Sequence, residues 1–203
     1  MMLRGKKVCL RAVEPEDLDL MYRVENDTSL WEYGNANVPY SRYALRRYIE
    51  ETTHDLYADG RLRLVISVLS GESVGFIDLQ NFDPRHGRAE VGIVLLPEWQ
   101  RRGLGAEALS LLLSYAAGHL HLHQVYAVVS ADNQAAMALF LRAKFKPSGT
   151  LSEWLCRGTS DYADACMLTL LLAWFALVNS YRKRTSFSEN IRSSFSWNFR
   201  FVM

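Results

Sequence analysis

The sequence predicts an α+β domain built on a mixed, mostly antiparallel sheet flanked by helices. Three observations predict it. Residues 61–69 alternate and are rich in Val and Ile, and Ser70-Gly71-Glu72-Ser73 turns them back into residues 74–79 as a hairpin. Residues 91–96 form an unbroken apolar run with β-branched members, the pattern of a central strand. Residues 106–117 are strong helix formers with an apolar stripe, and another strand-type run, residues 125–129, follows them.

The other elements follow in chain order. Residues 8–13 alternate weakly as a first strand. Glu14-Pro15-Glu16-Asp17 opens a helix, since proline suits a first turn and acids suit the positive end of the helix dipole. Leu18, Met21, Tyr22 and Glu25 continue it at helical spacing. Residues 26–40 are polar, aromatic and turn-rich, with Gly34 and Pro39 as breakers. Ser41 caps a second helix that runs to about Ala58, with Glu50, Glu51, Asp55 and Asp59 as a solvated face. Residues 81–88 connect the hairpin to the central strand, which Pro97 ends for want of an N–H. Gly118 sits where the long helix would be capped, and Asp132-Asn133 caps a short helix to Ala143. Residues 154–157 and 162–170 read as a last strand pair. The spacing of His119, His121 and His123 matches neither a helical metal pair nor a zinc framework, so they read as structural or exposed, and no metal is expected.

Composition narrows the function classes. Of the 203 residues, 49% are hydrophobic, ample for a two-sided core, and a net charge of +1 argues against a dedicated nucleic-acid binder. Cys9, Cys156 and Cys166 are odd in number and widely spaced, which fits reduced thiols in a cytoplasm. Arg4, Lys6 and Lys7 precede no apolar h-region, so no signal peptide is indicated. From about Leu171 the chain is apolar and then basic, too short in its apolar part for a membrane span. A poorly ordered extension fits that segment better than a membrane contact.

The loop Gln100-Arg101-Arg102-Gly103-Leu104-Gly105 organises the rest. Its two glycines let the backbone approach a ligand and turn N–H groups to one side. Those N–H groups are also the first unpaired donors of the following helix, whose dipole favours an anion. With Arg101 and Arg102 at the rim, the loop reads as a pyrophosphate cradle, although a plain strand–helix turn has the same spacing.

This loop resembles motif A of the GNAT N-acetyltransferases, Gln/Arg-x-x-Gly-x-Gly/Ala. Residues 133–145, Asn-Gln-Ala-Ala-Met-Ala-Leu-Phe-Leu-Arg-Ala-Lys-Phe, resemble that family's Asn-x-x-Ala-x-x-x-Tyr-x-x-x-Gly-Phe segment. The likeness is nearest the spermidine and ribosomal-protein N-terminal acetyltransferase branch and divides the chain into a catalytic domain, residues 1–170, and an extension, residues 171–203. It implies the three-layer GNAT fold, splayed between the fourth and fifth strands. It also implies acetyl-CoA as co-substrate and acetyl transfer to a primary amine in a ternary complex. Gln100, Arg101, Arg102, Gly103, Leu104, Gly105 and Ala106 would hold the pyrophosphate. Ile93, Val94 and Leu95 would meet the thioester and pantetheine arm, with Asn133 and Phe140 completing the cofactor site. Trp31, Glu32, Tyr33 and Tyr40 would wall the acceptor pocket, and Gly92 is the expected place for a bulge that parts the strands.

Aminolysis of a thioester needs a neutral amine, but an alkylamine with pKa near ~10 is protonated at neutral pH. Glu90 matches the family's strand position for a base, with Asp78 in reserve, while a salt-bridged Glu90 is the structural alternative. Two residues depart from the pattern. Phe140 replaces the tyrosine that would protonate the sulfur, and Lys144 stands where glycine usually precedes phenylalanine. A non-catalytic CoA-binding module is therefore the alternative function. Polyamine, protein N-terminus and small amino compound all remain open as acceptors, and a homo-oligomer is compatible with the sequence.

Overall fold

The computed structural model describes residues 3–31, 38–53, 55–158 and 160–172. The chain runs β1 (Leu3–Arg4), β2 (Val8–Ala12), α1 (Leu18–Glu25), α2 (Thr28–Trp31), α3 (Arg42–Glu51), α4 (Leu56–Asp59) and β3 (Leu62–Val68). It continues as β4 (Ser73–Asp83), β5 (Arg88–Leu95), α5 (Leu104–Gly118), β6 (Gln124–Ser130), α6 (Gln134–Arg142), β7 (Lys146–Gly158) and β8 (Asp161–Leu171). The described strands form one sheet in the order β1-β2-β3-β4-β5-β6-β8-β7, antiparallel except where β5 meets β6.

Strand alternation builds two cores. On β3, Leu64 and Ile66 point one way and join Leu109, Leu112 and Leu113 of α5 and Phe140 of α6. Val65 points the other way and, with Phe76, packs on Met21 and Val24 of α1 and Leu45 and Ile49 of α3. The helix-flanked mixed sheet is thus the predicted one. Arg11 fastens α1 to the sheet through a two-pronged bond to the buried Asp17, at 2.6 and 2.7 Å.

Several boundaries differ from the sequence reading. The second helix ends at Glu51 because Thr52 is extended, and Asp55 caps the separate α4 by accepting from the Tyr57 amide at 2.9 Å. β4 runs to Asp83, leaving only residues 84–87 as the turn into β5. Gly118 is still helical and His119 follows as the cap, stacked on Tyr115 with ring centroids 5.1 Å apart. β7 begins at Lys146, well ahead of the expected strand, and its side chains are nearly all exposed, so it has no apolar run to betray it. Among the described residues no helix is long and apolar enough to cross a membrane. Glu32, Tyr33 and the segment after Leu172 lie outside the described residues.

Gly75 of β4 shows how tightly the sheet holds β5. A Cβ there would lie 2.1 Å from the Val94 carbonyl oxygen and 2.9 Å from the Leu95 Cα, both backbone atoms that cannot swing away. Gly75→Ala is expected to cost roughly 3 kcal/mol, at the upper end of overpacking, and to lower Tm by about 6–12 °C. Gly118→Ala, with nothing within 4 Å of its Cβ, should leave Tm unchanged or raise it. Thermal melts of the two variants decide the point.

Candidate active site

β5 and β6 pair at only three positions, Arg88 with Gln124, Ala89 with Val125 and Glu90 with Tyr126. Beyond Glu90, β5 follows β4 to Leu95 while β6 follows β8 to Ser130. These are the fourth and fifth strands of the sequence reading, so the fork is where it was expected. The edge of residues 91–95 that faces β6 is left open, and an extended ligand can add to such an edge as a strand. Ile93, Val94 and Leu95 are half-buried there. The parting needs no bulge at Gly92, which sits in register with Asp78; the irregularity of the β4–β5 ladder falls between Gln80 and Asp83.

At the open end of the fork, Gln100 Nε2 donates to the Leu95 carbonyl at 3.0 Å and ties the loop to β5. Arg101 (φ 59°) and Gly103 (φ 79°) are both left-handed, a geometry that turns successive amides to one side. Glu107 makes an early intrahelical bond, to the Gly103 carbonyl at 3.3 Å, leaving Leu104, Gly105 and Ala106 as the orphan donors of the first turn. The Lys7 ammonium donates to the Arg102 carbonyl at 3.2 Å and so hangs beside this concavity, while the Arg102 guanidinium stacks 4.6 Å from the Trp99 ring centre. The Glu107 carboxylate in turn accepts from the amides of Lys6 and Lys7 at 2.5 and 2.8 Å. A concave run of amides at a helix N-terminus with a lysine beside it fits a pyrophosphate.

Asn133 caps α6 by accepting from the Ala136 amide at 3.0 Å. The helix ends in a Schellman motif, with Phe145 N–H donating to the Phe140 carbonyl at 3.1 Å and Lys144 N–H to that of Leu141 at 3.0 Å. Lys144 therefore takes the left-handed conformation (φ 73°) in which glycine is usual. The rings of Phe140 and Phe145 close the motif edge to face, 5.0 Å apart, and Phe140 is only 3% exposed.

On the α1–α3 side of the fork lies a charge cluster that the motifs did not announce. Arg63 donates from Nε and Nη2 to both oxygens of Asp78 at 3.0 and 2.9 Å, and from Nη1 to Glu25 at 2.5 Å. Burial alone would lower the Arg63 pKa, but the charges of Asp78 and Glu25 raise it well above its ordinary value. Burial raises the Asp78 carboxyl above the usual carboxylate range, against the pull of Arg63. Both oxygens of Asp78, the reserve candidate for the base, are thus engaged by Arg63. Glu90 and Asp78 share this face as diagonal neighbours, since Gln80 registers with Glu90 and Asp78 with Gly92. Glu90 has no ion pair among the described residues; Asn81 Nδ2 donates to its Oε2 at 2.7 Å. Trp31 joins the cluster through its indole, which donates to the Glu25 carbonyl at 2.9 Å. Asn26 holds the Tyr40 backbone nearby at 2.8 and 3.0 Å.

A family model for the acetyltransferase (GNAT) domain matches residues 7–146. The chain belongs to the GNAT acetyltransferases. Spermidine N(1)-acetyltransferase of Escherichia coli K12 is 30% identical over 145 residues, covering 71% of this chain and 75% of that one. The Vibrio cholerae serotype O1 spermidine N(1)-acetyltransferase is 26% identical over 150 residues, 73% of this chain and 84% of that one. The crystal structure of spermidine N-acetyltransferase from Vibrio cholerae in complex with CoA and spermine matches with a TM-score of 0.75 at 25% identity, over 83% of this chain and 98% of that one. This GNAT acetyltransferase is therefore an acetyl-CoA-dependent enzyme of the branch its two motifs resemble, not a non-catalytic module. Its fork and amide cradle are the parts that a thioester cofactor needs. Lys7, Glu107, Glu25, Arg63, Asn81 and Tyr126 join the site unannounced by either motif. Of these, Arg63 left a trace in the sequence as a charge on the strand face that Val65 buries, and Glu25 as an acid at the helical spacing of the apolar positions of α1.

Proposed function

We propose that this enzyme transfers the acetyl group of acetyl-CoA to a primary amine of a cationic aliphatic acceptor of the polyamine class, with Glu90 as general base. One observation carries the proposal. The acceptor side of β5 holds three carboxylates, Glu25, Asp78 and Glu90, against the guanidinium of Arg63 and the nearby Arg61. That surplus of negative charge favours an ammonium ligand, and the relatives named spermidine N(1)-acetyltransferases support the same class.

When bound, acetyl-CoA supplies the thioester carbonyl that the amine attacks. The amides of residues 102–106, the α5 dipole and Lys7 would hold its pyrophosphate, and the open edge of residues 91–95 its pantetheine arm. An N–H among Ile93, Val94 and Leu95 would stabilise the oxyanion, a contribution of roughly 10²–10³ in rate. Glu90, at the closed end of the fork where β5 and β6 part, removes the proton from the ammonium directly or through a water. Phe140 has no proton to offer the departing thiolate and serves the fold through its Schellman contact.

Thiol release from acetyl-CoA with spermidine, spermine, butylamine and a peptide N-terminus tests the acceptor. The polyamines should exceed butylamine at least tenfold in kcat/KM; acetylation of peptide N-termini with polyamines inert would overturn the proposal. Glu90→Gln should lower kcat roughly 10²–10⁴-fold with acetyl-CoA affinity unchanged, and a kcat within twofold of wild type would remove Glu90 from the role.

A further inference from the structure

We infer that Asn81 is a positioning residue for Glu90, an inference that rests on Glu90 being the base. Gln80 is in register with Glu90, so in a regular strand Asn81 would face the opposite side of the sheet. It does not. The ladder shifts register between Gln80 and Asp83, and Asn81 is left-handed at φ 50°. Its carboxamide is turned back so that Nδ2 donates to Glu90 Oε2 at 2.7 Å. Bulges beside active sites re-aim side chains in this way, and asparagine is among the few non-glycine residues that accept a left-handed backbone. One residue type therefore satisfies the bulge and the contact together.

The chemistry of the contact is one-sided. An amide N–H can only donate, so it meets the carboxylate oxygen as a fixed donor. It also immobilises Oε2 and leaves Oε1 to receive the proton. Tyr126 stands across the fork from Glu90. Burial, and then the charge of Glu90, raise its phenol, while Arg88 and a side-chain hydrogen bond with Asn81 lower it. The charged groups around the pair are Arg88 and Asp83, which bond one another at 3.1 Å, and, diagonally on the same face, Asp78 with its partner Arg63.

The test is the pH profile of kcat/KM for Asn81→Gly, Asn81→Asp and Glu90→Gln, with thermal melts of each. The glycine variant keeps the left-handed backbone and deletes the side chain with its bonds to Glu90 and Tyr126. It should lose three- to tenfold in kcat at pH 7, with KM for acetyl-CoA unchanged. The aspartate variant sets a second carboxylate against Glu90 and should move that limb up by about one unit or more. If Glu90→Gln retains the wild-type rate, the base assignment fails and the role of Asn81 with it. If Glu90→Gln is inactive but both Asn81 profiles overlie the wild type's, the inference about Asn81 alone is overturned. A shift in Tm of the aspartate variant without a shift in its acid limb also overturns it, because it marks a purely structural residue.

Discussion

Gly103→Asp is expected to weaken coenzyme A binding at least a hundredfold, to the point where calorimetry on folded protein shows no saturation. Two costs combine. At φ 79° a residue with a Cβ is strained by roughly 1–2 kcal/mol. The new carboxylate would also occupy the anion concavity, and the Lys7 ammonium, 3.3 Å from where the Cβ would be, would pair with it and not with a phosphate. Gly103→Ala incurs only the strain and should lose about tenfold. Equal affinity in the aspartate variant and the wild type would mean that the loop does not cradle the pyrophosphate.

Arg63→Ala is expected to cost about 3–5 kcal/mol, the usual penalty for removing one member of a buried ion network, and to lower Tm by roughly 10 °C. Glu25 and Asp78, at 20% and 16% side-chain exposure, would lose the cation that bonds them both, with only the more distant Arg61 left to act on Asp78. The guanidinium also covers the Phe76 ring, 5.4 Å from its centre. The pH dependence identifies the cause. A carboxylate buried without its cation has a folded-state pKa above its unfolded value, so it destabilises the fold at high pH and ceases to do so as pH falls and it protonates. The Tm gap between variant and wild type should therefore be wide at pH 7 and narrow towards pH 4. A gap independent of pH would assign the loss to packing on Phe76 and on the Tyr48 ring, whose centre lies 5.9 Å from the guanidinium.

What the sequence made legible was local. The strand, proline, arginines, glycines and helix from Val91 to Gly118 are contiguous, so their order marks the strand–loop–helix on which the cradle reading rests. Asn133 declared itself as a cap by its type and place. The Arg63 cluster and the place of Lys7 were not legible in that way, because their contacts are long-range. Lys7 reaches Arg102 beside the loop, and Arg63 reaches Asp78 and Glu25, only once the sheet has formed. Asn81 was hidden for a different reason: a bulge breaks the two-residue period on which strand reading depends. Phe140 was legible as a departure from the motif, but its reason lay in the ring of Phe145, visible only with the helix end in three dimensions.

The two hydrogen bonds from the Lys6 and Lys7 amides to Glu107 join the leading edge of the sheet to the first turn of α5, 100 residues away in sequence. On the proposed assignment of that turn to the pyrophosphate, docking of the amino-terminal segment and cofactor binding would be coupled, and by linkage the coupling would be reciprocal.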